Sequence, residues 1–227
     1  MNRILGIFLS LFLTISIGTA SAAFIDTAES EMDDLFSQSA FGSNPINIMF
    51  NPSQTIIAPS LLNITNDGQL NSLFSMAPET SPTVNMFFVD TLDFCNSFNT
   101  SIIGCANQPG NRMVVENFGP QGGELQGILN SHELGHNLGL GHVGDTSNIM
   151  TGTLNTSSPG TLFTTTQVAN IRASNLVQGT LGSEFIKITP ILIAATNPVP
   201  APSAMLLFGT GLVGFVGWRR WSKKQSD

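Results

Sequence analysis

Two kinds of apolar pattern alternate along this chain. Four short runs are apolar at nearly every position, which is typical of buried strands. These predicted strands cover Ile46–Phe50 and residues 83–90, 102–106 and 112–117. Four other segments carry apolar residues at helical spacing and predict helices over residues 25–39, 67–76, 123–138 and 164–177. The mixed order of helices and strands predicts an α/β (α+β) fold.

The third predicted helix is apolar on two opposite sides. One side carries two histidines together with Leu125, Ile128 and Leu129. The opposite side carries Leu134 and Leu138. Because a helix that is apolar on both sides is buried on both sides, we expect it at the centre of the fold, under the sheet and above a small C-terminal subdomain.

The domain organisation follows from the same patterns. The predicted helices and strands form one domain over residues 23–178, which is large enough for one hydrophobic core, and no internal repeat is present. Residues 179–199 include the partly apolar stretch FIKITPILIAA. The pattern leaves two alternatives for them, a linker or an extra strand.

The first 22 residues have the layout of a secretory signal peptide. Arg3 supplies an early positive charge, residues 4–17 are mostly apolar, and Ala20-Ser21-Ala22 satisfies the A-x-A cleavage pattern. We therefore predict export and removal of residues 1–22. The alternative is an uncleaved N-terminal anchor, for which the apolar stretch is short.

Export determines how the two cysteines are interpreted. In an exported domain, Cys95 and Cys105 are expected to form one disulfide. The alternatives are two free thiols, or a thiolate that inhibits a metal from a pro-segment. Neither cysteine lies in the N-terminal segment where such an inhibitor is expected.

Charge excludes one class of partner. Residues 23–199 contain fourteen acidic and three basic side chains, a net charge of −11, whereas nucleic-acid binding requires clustered Lys and Arg. An acidic surface is compatible with structural Ca²⁺ or basic substrates, and most often only keeps a domain hydrated. Asp90 and Asp93 do not stand out as calcium ligands.

All three histidines of the chain lie between His132 and His142. In a helix, His132 and His136 lie one turn apart on one face and reach a common point. A continued helix would turn His142 away by roughly 120°, so we expect the helix to end at Gly139, in the left-handed conformation that glycine favours. Three converging imidazoles with a fourth position open to water are typical of catalytic zinc.

Glu133 follows the first histidine and lies about 100° further round the helix. This position is poor for a metal ligand but places the carboxylate beside a zinc-bound water. The carboxylate could take a proton from that water and deliver it to a leaving amine. A chance HExxH is the alternative, and the added Gly139 and His142 argue against it.

Residues 132–142 fit H-E-x-x-H-x-x-G-x-x-H, and the chain thereby resembles the metzincin zinc endopeptidases, most closely the matrixin and pappalysin-like branches. The resemblance implies that the three histidines hold one zinc and that Glu133 is the general base. It implies that Met150, in the sequence SNIM, is the methionine of a turn beneath the metal. It also implies a twisted, mostly parallel sheet with one antiparallel edge strand, residues 102–106. The tyrosine that some metzincins add is missing, because this chain has none.

The C-terminus resembles the PEP-CTERM sorting tail. Residues 200–227 combine a Pro-rich hinge, a short transmembrane segment over residues 204–218 and a basic end of Arg219, Arg220, Lys223 and Lys224. Ala201 stands where that family has a glutamate. The resemblance implies export across the inner membrane of a Gram-negative-type bacterium, processing by exosortase and transient membrane contact. The alternative is a permanent anchor, because positive charge after an apolar run stays in the cytoplasm.

Together these features predict an exported zinc-dependent endopeptidase that cuts proteins or peptides at the cell surface, in the outer envelope or in the extracellular matrix. The alternative is a non-catalytic surface or matrix binding protein that keeps a protease-like domain. The intact Glu133 favours the enzyme, because binding alone does not need this carboxylate.

Overall fold

A six-stranded sheet forms the centre of the computed structural model, which describes residues 25–119 and 122–196. The α-helices of this part are α1 (Glu29–Leu35), α2 (Asp67–Ser75), α3 (Gly123–Asn137) and α4 (Thr165–Arg172). The strands are β1 (Ile46–Phe50), β2 (Gln54–Ile57), β3 (Asn63–Ile64), β4 (Val84–Val89), β5 (Thr91–Leu92), β6 (Phe94–Cys95), β7 (Ser97–Phe98), β8 (Gly104–Ala106), β9 (Arg112–Glu116) and β10 (Glu184–Ala194). The predicted mixed α/β architecture is confirmed.

The central sheet has the strand order β1-β10-β4-β9-β8, and β2 pairs with the second half of β10. Its pairs are parallel except for β8 with β9. The prediction of a mostly parallel sheet with an antiparallel edge strand is therefore confirmed. The edge strand begins later than predicted, because the N–H of Ile102 donates to the carbonyl of Asn99 and Ile102 therefore belongs to a turn.

Strand β4 shows why the central strands are mostly apolar on both faces. Val84, Met86 and Phe88 pack in the core that contains α3, whereas Phe87 and Val89 pack in the core that contains α2. With a helix on each face, all six residues of β4 are buried. This burial on both faces is typical of parallel strands.

Helices α2 and α3 end one residue earlier than predicted, whereas α1 and α4 are clearly shorter than predicted. Before α1, the Asp26 carboxylate accepts the N–H groups of Ala28 and Gly123, which keeps residues 25–28 out of the helix. At its start, α4 has a capping box between Thr164 and Gln167. It ends at Arg172, and the turns that follow bring Leu176 into the core. Leu176 therefore fits the helical spacing because it is buried, although it does not belong to the helix.

The C-terminal strand lies in the middle of the sheet, which corrects the predicted domain end at residue 178. On one side of β10, Glu184 is paired with Ile46 in β1, and on the other side Ile188 is paired with Val84 in β4. Of the two alternatives for residues 179–199, the structure shows a strand. The apolar pattern could not place it, because its partners lie in the first half of the chain.

Several predictions concern residues that the structure does not describe. The signal peptide (1–22) and the tail (200–227), with its apolar run at 204–218, lie outside the described residues. Within residues 25–119 and 122–196, no helix is both long enough and apolar enough to cross a membrane.

Candidate metal centre

Buried amide side chains hold α3 at both ends. Near its start, Gln126 donates to Asn130, which in turn donates to the carbonyl of Thr27. Near its end, Asn137 donates to the carbonyl of Asn107. Since an unpaired buried amide costs free energy, these bonds fix the depth and rotation of the helix. As predicted, both sides of the helix are buried, through Ile128, Leu129, Leu134 and Leu138.

Gly139 ends the helix, as the sequence predicted. Its φ of 93° is left-handed, and its N–H donates to the carbonyl of His136 while the N–H of Leu140 donates to that of Gly135. These two bonds form a Schellman motif. The chain then reverses and carries His142 back toward the helical histidines.

The three imidazoles converge through their Nε2 atoms. His142 Nε2 lies 3.2 Å from His132 Nε2 and 3.1 Å from His136 Nε2. On the far side of the rings, His132 Nδ1 lies 2.6 Å from the carbonyl oxygen of Ile149, and His136 Nδ1 lies 2.8 Å from that of Leu140. A carbonyl can only accept, so each Nδ1 carries the proton and each Nε2 directs its lone pair to the centre.

This donor set could hold a metal ion. Nitrogen ligands of a tetrahedral zinc, at 2.0–2.1 Å from the ion, lie about 3.3 Å from one another, close to the two separations given above. Among the described residues, the histidine triad is the group of metal-ligating side chains that comes together. Asp90 and Asp93 belong to no such group there, so no calcium ligand is assigned.

Burial keeps two of the histidines neutral. Burial lowers the pKa of His132 to about 4, and the two neighbouring imidazoles also lower this pKa. The hydrogen bond to the Ile149 carbonyl acts in the opposite direction and raises it. Burial also lowers the pKa of His136, with a further contribution from His142. Because the neutral imidazole is the form that binds metal, both rings are ready to bind near pH 7.

Met150 lies beneath the helical turn that carries the first two histidines. The side chain is fully buried, and its sulfur fills the space where a Cβ on Gly135 would lie. The residue before it, Ile149, provides the carbonyl that orients His132. The Met150 carbonyl accepts the N–H of Val143 at 3.0 Å, directly after the third histidine. Ile149 and Met150 therefore contact the parts of the chain that carry all three histidines.

The Glu133 carboxyl is buried on the side of α3 that faces β8. The residue is 4% exposed, and its Oε2 accepts no hydrogen bond from the described residues. Burial raises its pKa to about 8. Carboxyl groups whose pKa is shifted toward neutrality by burial are typical of general acids and bases.

Cys95 and Cys105 form the predicted disulfide. Since the chain has two cysteines and both are bonded, the free-thiol and metal-inhibitor alternatives do not apply. The bond joins β8 to the short β6–β7 hairpin. It therefore fastens the edge strand that lies against Glu133.

The groups that orient the histidines and the carboxyl were not predicted from the sequence. Ile149 and Leu140 act through backbone carbonyls, and no side-chain pattern reveals such a role. Gly104, whose backbone lies against Glu133, did carry a signal. A glycine inside a strand pattern often marks the close approach of another group.

One comparison with known proteins covers the tail. Residues 198–220 match the PEP-CTERM protein-sorting motif. This confirms the predicted tail and identifies an exported protein of a Gram-negative-type bacterium that exosortase machinery recognises. The matched segment begins shortly after β10 ends at Ala194. No curated protein matches the chain, and the metzincin resemblance stays a prediction.

Proposed function

We propose that this protein is an exported zinc-dependent endopeptidase of the metzincin type. The proposal rests on the convergence of three imidazole Nε2 atoms, two of them from the helix that also carries the buried carboxyl of Glu133. Three histidine ligands that leave one position open are the donor set of catalytic zinc, whereas structural sites use four ligands. When bound, zinc would lower the pKa of a water molecule and polarise a substrate carbonyl.

The residues of the site have separate tasks in this proposal. His132, His136 and His142 would hold the metal, and the carbonyls of Ile149 and Leu140 keep two of the rings in the right tautomer. Glu133 accepts a proton from the attacking water and delivers it to the leaving amine. Met150 supports the turn that carries the ligands.

The edge of the sheet supports a peptide substrate. β8 pairs with β9 on one side, and no described strand pairs with its other side. An extended peptide could pair with this free edge as an additional strand, which would lay its backbone beside Glu133. The sorting motif supports action at the cell surface, in the outer envelope or in the extracellular matrix.

The experiment that tests the proposal uses the full-length exported chain. Its metal content is measured, and cleavage of a mixed peptide library is followed with and without a chelator. We expect one zinc per chain and cleavage that the chelator abolishes. The matched control is Glu133→Gln, which keeps the size of the side chain and removes the base. We expect this variant to retain zinc and lose about 10²–10⁴-fold in kcat.

The outcomes separate the proposal from its alternative. Bound zinc with no cleavage by either form would favour the non-catalytic binding protein. Cleavage retained by Glu133→Gln would refute the assigned role of the carboxylate, and a folded chain without zinc would refute the whole proposal.

A further inference from the structure

A glycine of the edge strand lies directly against the proposed base. Gly104 is the first residue of β8 and pairs with Val115 of β9. A Cβ built on Gly104 would lie 2.6 Å from Cδ and 2.8 Å from Cγ of Glu133, and nearer still to Oε1. Real Cβ atoms essentially never approach other heavy atoms closer than 3.0 Å. The glutamate therefore occupies the space that any other residue at position 104 would fill.

The backbone gives no other reason for a glycine at this position. Gly104 is not among the positive-φ glycines of the described residues, so an L-residue fits its backbone conformation. Glycine also weakens a strand relative to residues with side chains. The three atoms nearest to an added Cβ all belong to Glu133, so the requirement for glycine comes from this side chain.

The backbones on the two sides of this contact are fastened, so an added Cβ would first displace the Glu133 side chain. On the strand, the adjacent Cys105 is buried and bonded to Cys95. On the helix, the buried amides of Gln126 and Asn137 fix the position of α3. The carboxyl of Glu133 is thus enclosed between two elements that are each fastened elsewhere.

We infer that Gly104 is a positioning residue for Glu133. By lacking a side chain, it provides the space in which the carboxyl lies against β8, and so sets the distance between that carboxyl and the histidine triad. A methyl group at position 104 would force the carboxyl away from the strand or force β8 away from α3. The catalytic consequence rests on the proposed function, whereas the steric contact does not.

Thermal unfolding of four forms of the full-length chain tests the contact without reference to activity. The forms are the parent, Gly104→Ala, Glu133→Ala and the double variant. We expect Gly104→Ala to lower the midpoint by about 3–9 °C in the parent, from overpacking. In the Glu133→Ala background the colliding atoms are gone, so the same substitution should be neutral or stabilising. An equal effect of Gly104→Ala in both backgrounds, or no effect in either, would overturn the inference.

Kinetics of the same protein test the consequence for the base. We expect Gly104→Ala to retain its zinc and nearly unchanged KM while kcat falls about 10²-fold, because a displacement of about 1 Å costs that much. The matched control is Gly144→Ala, at a position where an added Cβ meets no atom within 4 Å. It should leave kcat unchanged. A parent-like kcat in Gly104→Ala would overturn the positioning role. A parent that cleaves no peptide but shows the coupled unfolding would instead contradict the proposed function and leave the steric contact standing.

Discussion

The histidine site and strand β10 are built in opposite ways. The proposed ligands, the buried carboxyl and the two orienting carbonyls all lie between residues 132 and 150. Strand β10, by contrast, lies between β1 and β4, whose residues come from the first half of the chain. The groups that would do chemistry are thus brought together by local turns, and the sheet against which α3 packs is completed only by residues 184–194.

The local site nevertheless depends on the distant strand. β10 pairs with β4, β4 pairs with β9, and α3 packs in the core that the inner faces of these strands form. If β10 is missing, β1 and β2 lose their partner and the sheet is divided. A segment that the motif does not include is therefore required for the motif to take its shape.

The largest expected effect comes from removing β10. A chain that ends after Gln178 should not fold, because the strand between β1 and β4 is gone. A chain that ends after Asn197 keeps the whole sheet, lacks only the tail and serves as the control. Circular dichroism and limited proteolysis distinguish the two. Cooperative unfolding by the chain that ends at Gln178 would show that β10 is dispensable.

The next largest effect concerns the link between β10 and α4. Arg172 forms an ion pair with Glu184, and both side chains are mostly buried. Arg172→Met leaves a buried carboxylate without its partner and should lower the free energy of unfolding by about 3 kcal/mol in a urea titration. Lys187→Met, in the same strand, removes a cation that forms no ion pair among the described residues. It should cost under about 1 kcal/mol, and equal losses in the two variants would contradict this account.

The disulfide fastens the edge strand β8, which lies against Glu133, to the β6–β7 hairpin. Replacing Cys95 and Cys105 together with alanine should lower the free energy of unfolding by about 2–3 kcal/mol, because a closed loop of this length restricts the unfolded chain. The parent with its disulfide reduced should unfold at the same urea concentration as the variant. A variant as stable as the oxidised parent would show that the bond does not stabilise the fold.

A smaller effect belongs to the site alone. In the metal-free protein, the pKa of Glu133 is raised by burial to about 8, so the native state holds a proton that the unfolded chain has released. Stability should therefore fall as the pH rises from 7 to 8.5, by about 1 kcal/mol. His132 and His136 contribute little in this range, because their lowered pKa values keep both rings neutral in the folded protein and the unfolded rings are mostly neutral too.

The comparison for this pH dependence is metal-free Glu133→Gln. Glutamine does not titrate, so its unfolding midpoint should stay nearly constant over the same pH range. The difference between the two pH profiles isolates the carboxyl. Parallel profiles would mean that the folded protein does not hold that proton.

The features that the sequence predicted correctly are those set by nearby residues, and the features that it did not predict depend on distant ones. The strands Ile46–Phe50 and β4, the ending of α3 at Gly139 and the disulfide were all accessible, because apolar runs, glycine and paired cysteines act over short distances. The central place of β10 was not accessible, since pairing between distant strands leaves no mark on either strand alone. The short strand β2 was not predicted either. None of its residues is fully buried, since they alternate between half-buried and exposed.

The candidate site shows the same limit on a smaller scale. Spacing was sufficient to predict that the three histidines converge, since they belong to one helix and the turn after it. Their role as metal ligands and the role of Glu133 as a base stay predictions. Spacing could not reveal that the Ile149 carbonyl orients His132, or that Gly104 adjoins the carboxyl. Each contact joins two segments that lie far apart in the sequence, and the spacing of apolar residues gives no information about such contacts.

The most direct test of the central claim is X-ray absorption at the zinc edge of the full-length exported chain. We predict one zinc with three imidazole nitrogens at about 2.0–2.1 Å and one further ligand, a water oxygen. In His142→Ala, the spectrum should lose one imidazole or the metal should be lost altogether. Absence of zinc from the folded protein, or a spectrum unchanged by His142→Ala, would contradict this claim.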